Sequence, residues 1–166
     1  MTFRFTRLLH QTLLSGAICC ASGAIAYPAV AAPQVSVDFT VQEKLGSAPG
    51  TVAPGKLKSS DISGCLSGTV ATIGAKASVD GDSSIFTGTK VITCGSGDTL
   101  TLTYRARTSR CAAADSGTWK VTGGTGIFAT AKGQGQLTGR FRLGTGAGTF
   151  CKSDGIDDHY TGKLQL

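Results

Sequence analysis

One short run near the end of the chain holds the side chains best suited to acid–base chemistry. Asp157, Asp158, His159 and Tyr160 are consecutive, and a histidine beside a carboxyl group can act as a general acid or base. The alternation of residue types puts His159 on the polar outer face of its strand, and Asp158 and Tyr160 on the apolar inner face. We therefore expect a surface histidine and no Ser-His-Asp hydrolase, with Asp158 at the mouth of the fold.

Two other groups of residues contain the right residue types for ligand binding but lack the spacing. Asp80 and Asp82, like the aspartates of residues 154–158, are not followed by the glutamate that completes an EF-hand, and turns are the usual place for such aspartates. The glycines of residues 123–126 are not followed by a Lys-Ser/Thr pair, as a phosphate-binding loop requires. We expect neither a metal nor a cofactor.

Large aromatic side chains fall on the apolar faces of the predicted strands. We expect Tyr104, Trp119, Phe141 and Tyr160, together with Asp158, to line a ligand pocket. Such a pocket would suit a small apolar or aromatic molecule, which the phenol hydroxyls would orient. The same side chains could instead fill a small barrel completely, as an ordinary core.

The polar faces of three strands carry five cations: Arg105, Arg107, Lys120, Arg140 and Arg142. If these strands are neighbours, the cations form a basic patch that could bind anionic sugars or lipid head groups. The alternative is a solvated exterior. The formal net charge is +6 and the chain has no basic run, so we do not expect nucleic acid as a partner.

The elements that must position these residues are short β-strands. The chain contains 24 glycines and no long segment of helical periodicity, and short alternating stretches recur between turn signals. We predict seven strands, from Val35, at 67–75, at 85–93, at 99–107, at 117–122, at 135–143 and at the C-terminus, with 46–62 as a loop or an irregular crossing. Each clear strand has one apolar face, which predicts an all-β fold: a single antiparallel β-barrel of seven or eight strands.

A glycine-rich stretch between two predicted strands carries a family resemblance. Residues 121–137 read VTGGTGIFATAKGQGQL, and this run resembles the corresponding turn and strand of plant allene oxide cyclases. Dirigent proteins have a similar Gly-Gly-Thr-Gly-hydrophobic-Phe run. Glycines permit positive φ where the chain leaves the sheet, and we expect Ile127 and Phe128 to plug one end of the barrel.

The resemblance implies a β-barrel domain and two kinds of activity. Allene oxide cyclases close a ring in an unstable fatty-acid epoxide inside a mostly apolar barrel, without a cofactor. Dirigent proteins steer the coupling or cyclisation of phenolic intermediates. The reacting residues of these families lie outside the matched stretch, so no catalytic residue is transferred to this chain. The chain resembles an exported bacterial-type member of this barrel family.

The N-terminal residues have the features of a secretion signal. Arg4 and Arg7 precede an apolar run over 13–26, and Ala29-Val30-Ala31 provides the small residues that a signal peptidase needs. We predict a signal peptide at 1–31, one domain at 32–166, and a secreted or periplasmic location. No later segment is apolar over a length that would cross a membrane.

Four of the six cysteines lie after the predicted signal peptide, and an even number in an exported chain favours disulfides. The direction of the strands separates the three pairings. A strand of nine residues spans about 30 Å, which excludes a bond between Cys94 and Cys111. The remaining strand directions place Cys65 with Cys94 at one end of the barrel and Cys111 with Cys151 at the other.

The sequence supports three hypotheses about function. The first is an exported barrel that binds a small apolar or aromatic molecule in its interior. The second is a cofactor-free cyclase or isomerase, or a dirigent-like activity, in the same cavity; a buried charged group beside Tyr104 or Tyr160 would favour it. The third is a surface-binding module that uses the basic face. Assembly into a homo-oligomer is left open.

Overall fold

The structure is a computed structural model that describes residues 32–47 and 51–166. The predicted signal peptide, residues 1–31, lies outside the described residues. Nine strands follow in chain order: β1 Val35–Leu45, β2 Val52–Ser60, β3 Gly68–Asp80, β4 Ser83–Cys94, β5 Thr99–Ser109, β6 Ala114–Gly124, β7 Lys132–Leu143, β8 Gly146–Ala147 and β9 Gly155–Gln165. One 3-10 turn, Gly126–Phe128, connects β6 to β7. In the described part of the chain, no helix is long and apolar enough to span a membrane.

Eight long strands close into an antiparallel barrel. Each of the strands β1 to β7 pairs with the next, and β9 lies between β7 and β1. The two-residue β8 pairs only with the end of β7. Closure leaves none of the eight long strands at a sheet edge, and the apolar faces of β1, β4, β5, β6, β7 and β9 turn inward. The prediction of an all-β antiparallel barrel with seven or eight strands is confirmed.

The prediction of a loop over residues 46–62 is wrong, because β2 occupies most of that range. Along β2, Leu57 is the only buried residue, so this strand shows no alternation of buried and exposed residues. Pro54 also lacks a backbone N–H. Pairing with β1 at six positions holds β2 in place, whereas pairing with β3 covers only two. A strand that is held by pairing with its neighbours, and not by its own residue pattern, is difficult to predict from the sequence.

The two ends of the barrel differ, and we call them the closed end and the mouth. The closed end contains the start of β1 and the end of β9, and buried Ile62, Phe128 and Leu164 fill it. Phe128 plugs the barrel as predicted, whereas Ile127 does not, since 47% of it is exposed. The mouth is the opposite end, where β1 ends and β9 begins.

Both disulfides have the predicted partners, one at each end. Cys65 and Cys94 lie at the closed end with their Cα atoms 5.0 Å apart. Cys111 and Cys151 lie at the mouth, with a Cα–Cα distance of 4.7 Å. The second bond joins the β5–β6 turn to the segment between β8 and β9, and it fixes that segment over the mouth.

Aromatic packing fills the middle of the barrel. The rings of Phe39 and Tyr160 stack with centroids 4.7 Å apart, and Trp119 meets Phe39 edge-on at 5.8 Å. The indole of Trp119 donates a hydrogen bond to the carbonyl of Thr161. Gly135 makes room for it, because a Cβ there would lie 2.7 Å from Trp119 Nε1. The half of the barrel towards the closed end is therefore a solid core.

Candidate functional site

A cavity of about 280 Å³ occupies the half of the barrel towards the mouth. Its apolar walls come from strands on several sides of the barrel: Phe86, Ala106, Leu137, Phe141 and Ile156. Ligand cavities in proteins range from about 300 to 1,000 Å³, so this one suits a small molecule. An eight-stranded barrel has just enough interior for a packed core or one small ligand. In this chain packed side chains fill one half of the interior, and the cavity occupies the other.

Phe150 covers part of the mouth. It lies beside Cys151 in the segment between β8 and β9, and its backbone N–H donates to the carbonyl of Ala112. Its ring is 5.5 Å from that of Phe86 and 5.7 Å from that of Phe141. The Cys111–Cys151 disulfide thus positions an aromatic side chain across the entrance.

A cluster of buried charges forms the floor of the cavity. Lys90 on β4 is 1% exposed and points inward. Its ammonium contacts Glu43 Oε2 on β1, Asp158 Oδ2 on β9 at 3.1 Å, and Thr72 Oγ1 on β3 at 3.3 Å. Thr72 in turn donates to Glu43 Oε1 at 2.6 Å. The contacts to Glu43 and Thr72 are hydrogen bonds, and the contact to Asp158 is an ion pair.

The electrostatics of the cluster keep Lys90 charged. Burial lowers the pKa of Lys90, but attraction to Asp158 and Glu43 outweighs burial and raises the pKa above its ordinary value. The Lys90 ammonium also lies 5.0 Å from the centroid of the Tyr104 ring, and burial raises the pKa of the Tyr104 phenol. The floor therefore holds a fixed cation, its counter-ions and a neutral phenol.

Asp115 adds a third carboxyl group to the cavity. It is 6% exposed, and its Oδ1 accepts a hydrogen bond of 2.8 Å from the backbone N–H of Gly139. Burial and then repulsion from Asp158 raise its pKa to about 7, although the Gly139 hydrogen bond and Lys90 act in the other direction. Near neutral pH, Asp115 can therefore both give and take a proton.

This shift makes the stability of the fold depend on pH. Between about pH 4 and pH 7, unfolded Asp115 is ionised while folded Asp115 keeps its proton. The free energy of unfolding should therefore fall by up to about 1.4 kcal/mol per pH unit as the pH rises across this window. Urea denaturation at several pH values measures the slope.

Asp115→Asn should remove this dependence, because an amide oxygen can still accept the Gly139 N–H but does not titrate. The variant should match the wild type near pH 4 and exceed its stability at pH 8. Asp82→Asn, a change at an exposed turn residue, is the matched control and should keep the wild-type slope. A slope that persists in Asp115→Asn would contradict this account.

The residues predicted for the pocket divide into two groups. Tyr104, Phe141 and Asp158 line the cavity. Tyr160 is fully buried behind the floor, where its hydroxyl donates to Asp158 Oδ2 at 3.4 Å. Trp119 does not line the cavity and belongs to the solid core.

Sequence reasoning missed Glu43, Lys90, Asp115 and Phe150. The first three share the inward face of their strands with Val41, Ile92 and other apolar residues, so the alternation itself could have identified them. A charged residue at a strand position that the alternation assigns to the interior indicates a candidate site residue. Phe150 lies outside the long strands, and only the position of the disulfide relates it to the cavity.

The outer surface also follows the predicted alternation. His159 is exposed, and its Nε2 lies 2.8 Å from Asp38 Oδ1. The strands that carry the five predicted cations, β5, β6 and β7, are neighbours. Arg107 is paired with Asp80 and Arg142 with Asp157. The use of this face for binding stays a prediction.

Comparisons with known proteins give one structural likeness. No family model and no curated protein matches the chain. The structure is similar to that of a pterocarpan synthase dirigent protein, with a TM-score of 0.40 and 18% sequence identity, over 84% of this chain and 89% of that chain.

Proposed function

We propose that this protein is an exported barrel that binds a small aromatic or apolar molecule in the mouth half of its interior. The observation that carries the proposal is the cavity itself, which combines aromatic walls with a buried polar floor. A few convergent polar groups in an apolar pocket are typical of small-molecule sites. The two disulfides fit the oxidising compartments of exported proteins.

Filling the cavity tests this function. Ala106 lines the cavity and is 2% exposed, so Ala106→Leu places three extra carbons in the space that the ligand would occupy. Saturation-transfer NMR with phenol, indole and benzyl alcohol should detect binding to the wild-type chain. The signals should be lost in Ala106→Leu.

Ala71→Leu is the matched control, because Ala71 is exposed on the outer face of β3, and this variant should bind as the wild type does. Absence of binding by all three compounds would overturn the proposal. So would binding that Ala106→Leu leaves unchanged.

A cofactor-free isomerase or cyclase is the second candidate, favoured by one observation. Asp115 faces the cavity with a pKa near 7, which suits a group that moves a proton between two positions of a bound molecule. Isomerisation leaves the mass of the ligand unchanged. Liquid chromatography coupled to mass spectrometry of small molecules co-purified from the native source should then resolve two compounds of equal mass with the wild type and one with Asp115→Asn. A single compound with both proteins would contradict catalysis.

A further inference from the structure

The cavity floor holds more buried carboxyl groups than buried cations. From this we propose that the ligand carries a protonated amine on a small aromatic or apolar body, with the ammonium bound between Asp115 and Asp158. The inference rests on the proposed function and names the chemical class of the ligand. A carboxylate or other anion would be excluded from the same site.

Lys90 is not available to an anionic ligand. Its ammonium is hydrogen-bonded to Glu43 and Thr72 and ion-paired with Asp158, and the residue is 1% exposed. An anion would have to replace one of these contacts and leave a buried carboxylate without its partner, which is costly. The other cation that lines the cavity, Lys76, is exposed at its rim.

The buried charges of the floor are negative in sum. Glu43, Asp115 and Asp158 face a single buried cation, Lys90. With Asp115 protonated, one negative charge is left, and with Asp115 ionised there are two. A positive group that enters this cavity is attracted, and a negative group is repelled, more strongly than either would be in water.

The carboxyl groups of Asp115 and Asp158 lie close together at the floor of the cavity, beside Gly139. A Cβ built on Gly139 would lie 2.3 Å from Asp115 Oδ1 and 2.7 Å from Asp158 Oδ1, so the absence of a side chain at Gly139 allows the two carboxyl groups to approach each other. Only Oδ1 of Asp115 receives a hydrogen bond from a described residue. The second oxygen is an open acceptor on a side chain that is 6% exposed.

Aromatic side chains stand above these carboxyl groups. Phe86, Phe141 and Phe150 surround the path from the mouth to the floor. Their apolar surface can hold the body of the ligand, and aromatic faces attract cations by about 0.5–2 kcal/mol. Aromatic walls together with paired carboxyl groups thus favour an arylalkyl amine over a neutral or acidic molecule of the same size.

Three compounds with the same ring test the inference: benzylamine, benzyl alcohol and benzoate. Isothermal titration calorimetry of the disulfide-bonded protein at pH 7.5 should give benzylamine an affinity at least about tenfold above that of benzyl alcohol. Benzoate should not bind measurably. An affinity of benzyl alcohol or benzoate equal to that of benzylamine would overturn the amine inference while leaving the proposed function intact. Failure of all three to bind would overturn both.

A second readout comes from proton release. An ammonium beside Asp115 favours its ionised form, so binding of benzylamine near pH 7 should release protons, which titrations in buffers of different ionisation enthalpy measure. The groups that interact with Asp115 are Asp158, Lys90, Tyr104, Tyr160 and the N–H of Gly139.

Asp115→Asn should abolish the proton release and weaken benzylamine about tenfold, and an unchanged far-ultraviolet circular dichroism spectrum is the check on the fold. Unchanged benzylamine affinity in this variant would contradict the placement of the ammonium.

Discussion

Lys90→Met is expected to lower the free energy of unfolding by about 3–5 kcal/mol at neutral pH, because it leaves two buried carboxylates without a counter-ion. Glu43 is 2% exposed and Asp158 5%, so water cannot replace the lost ammonium. Urea denaturation followed by circular dichroism measures the loss.

Two further variants make this prediction specific. Lys76→Met makes the same substitution at an exposed lysine on the rim and should change stability by less than about 0.5 kcal/mol. Adding Glu43→Gln and Asp158→Asn to Lys90→Met should recover part of the loss, because no unpaired charge then stays buried. A loss as large in Lys76→Met, or no recovery in the triple variant, would contradict a buried ion cluster.

Removal of the Cys65–Cys94 disulfide should have an effect of similar size. The bond closes a loop of 29 residues, which the chain-entropy estimate values at about 3.5 kcal/mol. Both cysteines are also buried, at 1% and 3% exposure, so the double change to alanine leaves space in the core and raises the expected loss to about 4–5 kcal/mol. Denaturation of the double variant measures it.

The bond at the mouth supplies the comparison. Cys111 and Cys151 enclose a longer loop of 40 residues but are exposed. Changing both to alanine should lower the free energy of unfolding by about 4 kcal/mol through chain entropy alone, because no buried packing is lost. We expect the variant that lacks Cys65–Cys94 to be the less stable of the two. The reverse order would show that packing around Cys65 and Cys94 adds nothing.

Strict alternation made most of the barrel predictable. In β5, Leu100 and Leu102 alternate with threonines, and the residue types alone fixed which face turns inward. The same alternation set His159 outside and Tyr160 inside. Strand directions that follow from short turns then gave both disulfide pairs, because a bond must join residues at the same end.

The prediction was incomplete where residue type and environment disagree. Lys90 and Glu43 are charged, so a reading by residue type assigns them to the exterior, yet each neutralises the other inside the barrel. Their partnership links β1 to β4 across the interior, and no local pattern reveals a contact over 47 residues of chain. The strand β2 was missed for a different reason: it contains Pro54 and exposed lysines, and its residues do not alternate between buried and exposed.

The most direct test of the central claim is where a small aromatic molecule sits on the protein. Isotope-filtered NOE spectra of the labelled chain with benzyl alcohol report protein protons close to the bound ring. Contacts to Leu137, Phe141 and Ile156, which line the cavity, are the predicted result. Contacts confined to Lys120 and Gln134, which are exposed on the outer face of the barrel, would contradict a binding site in the interior.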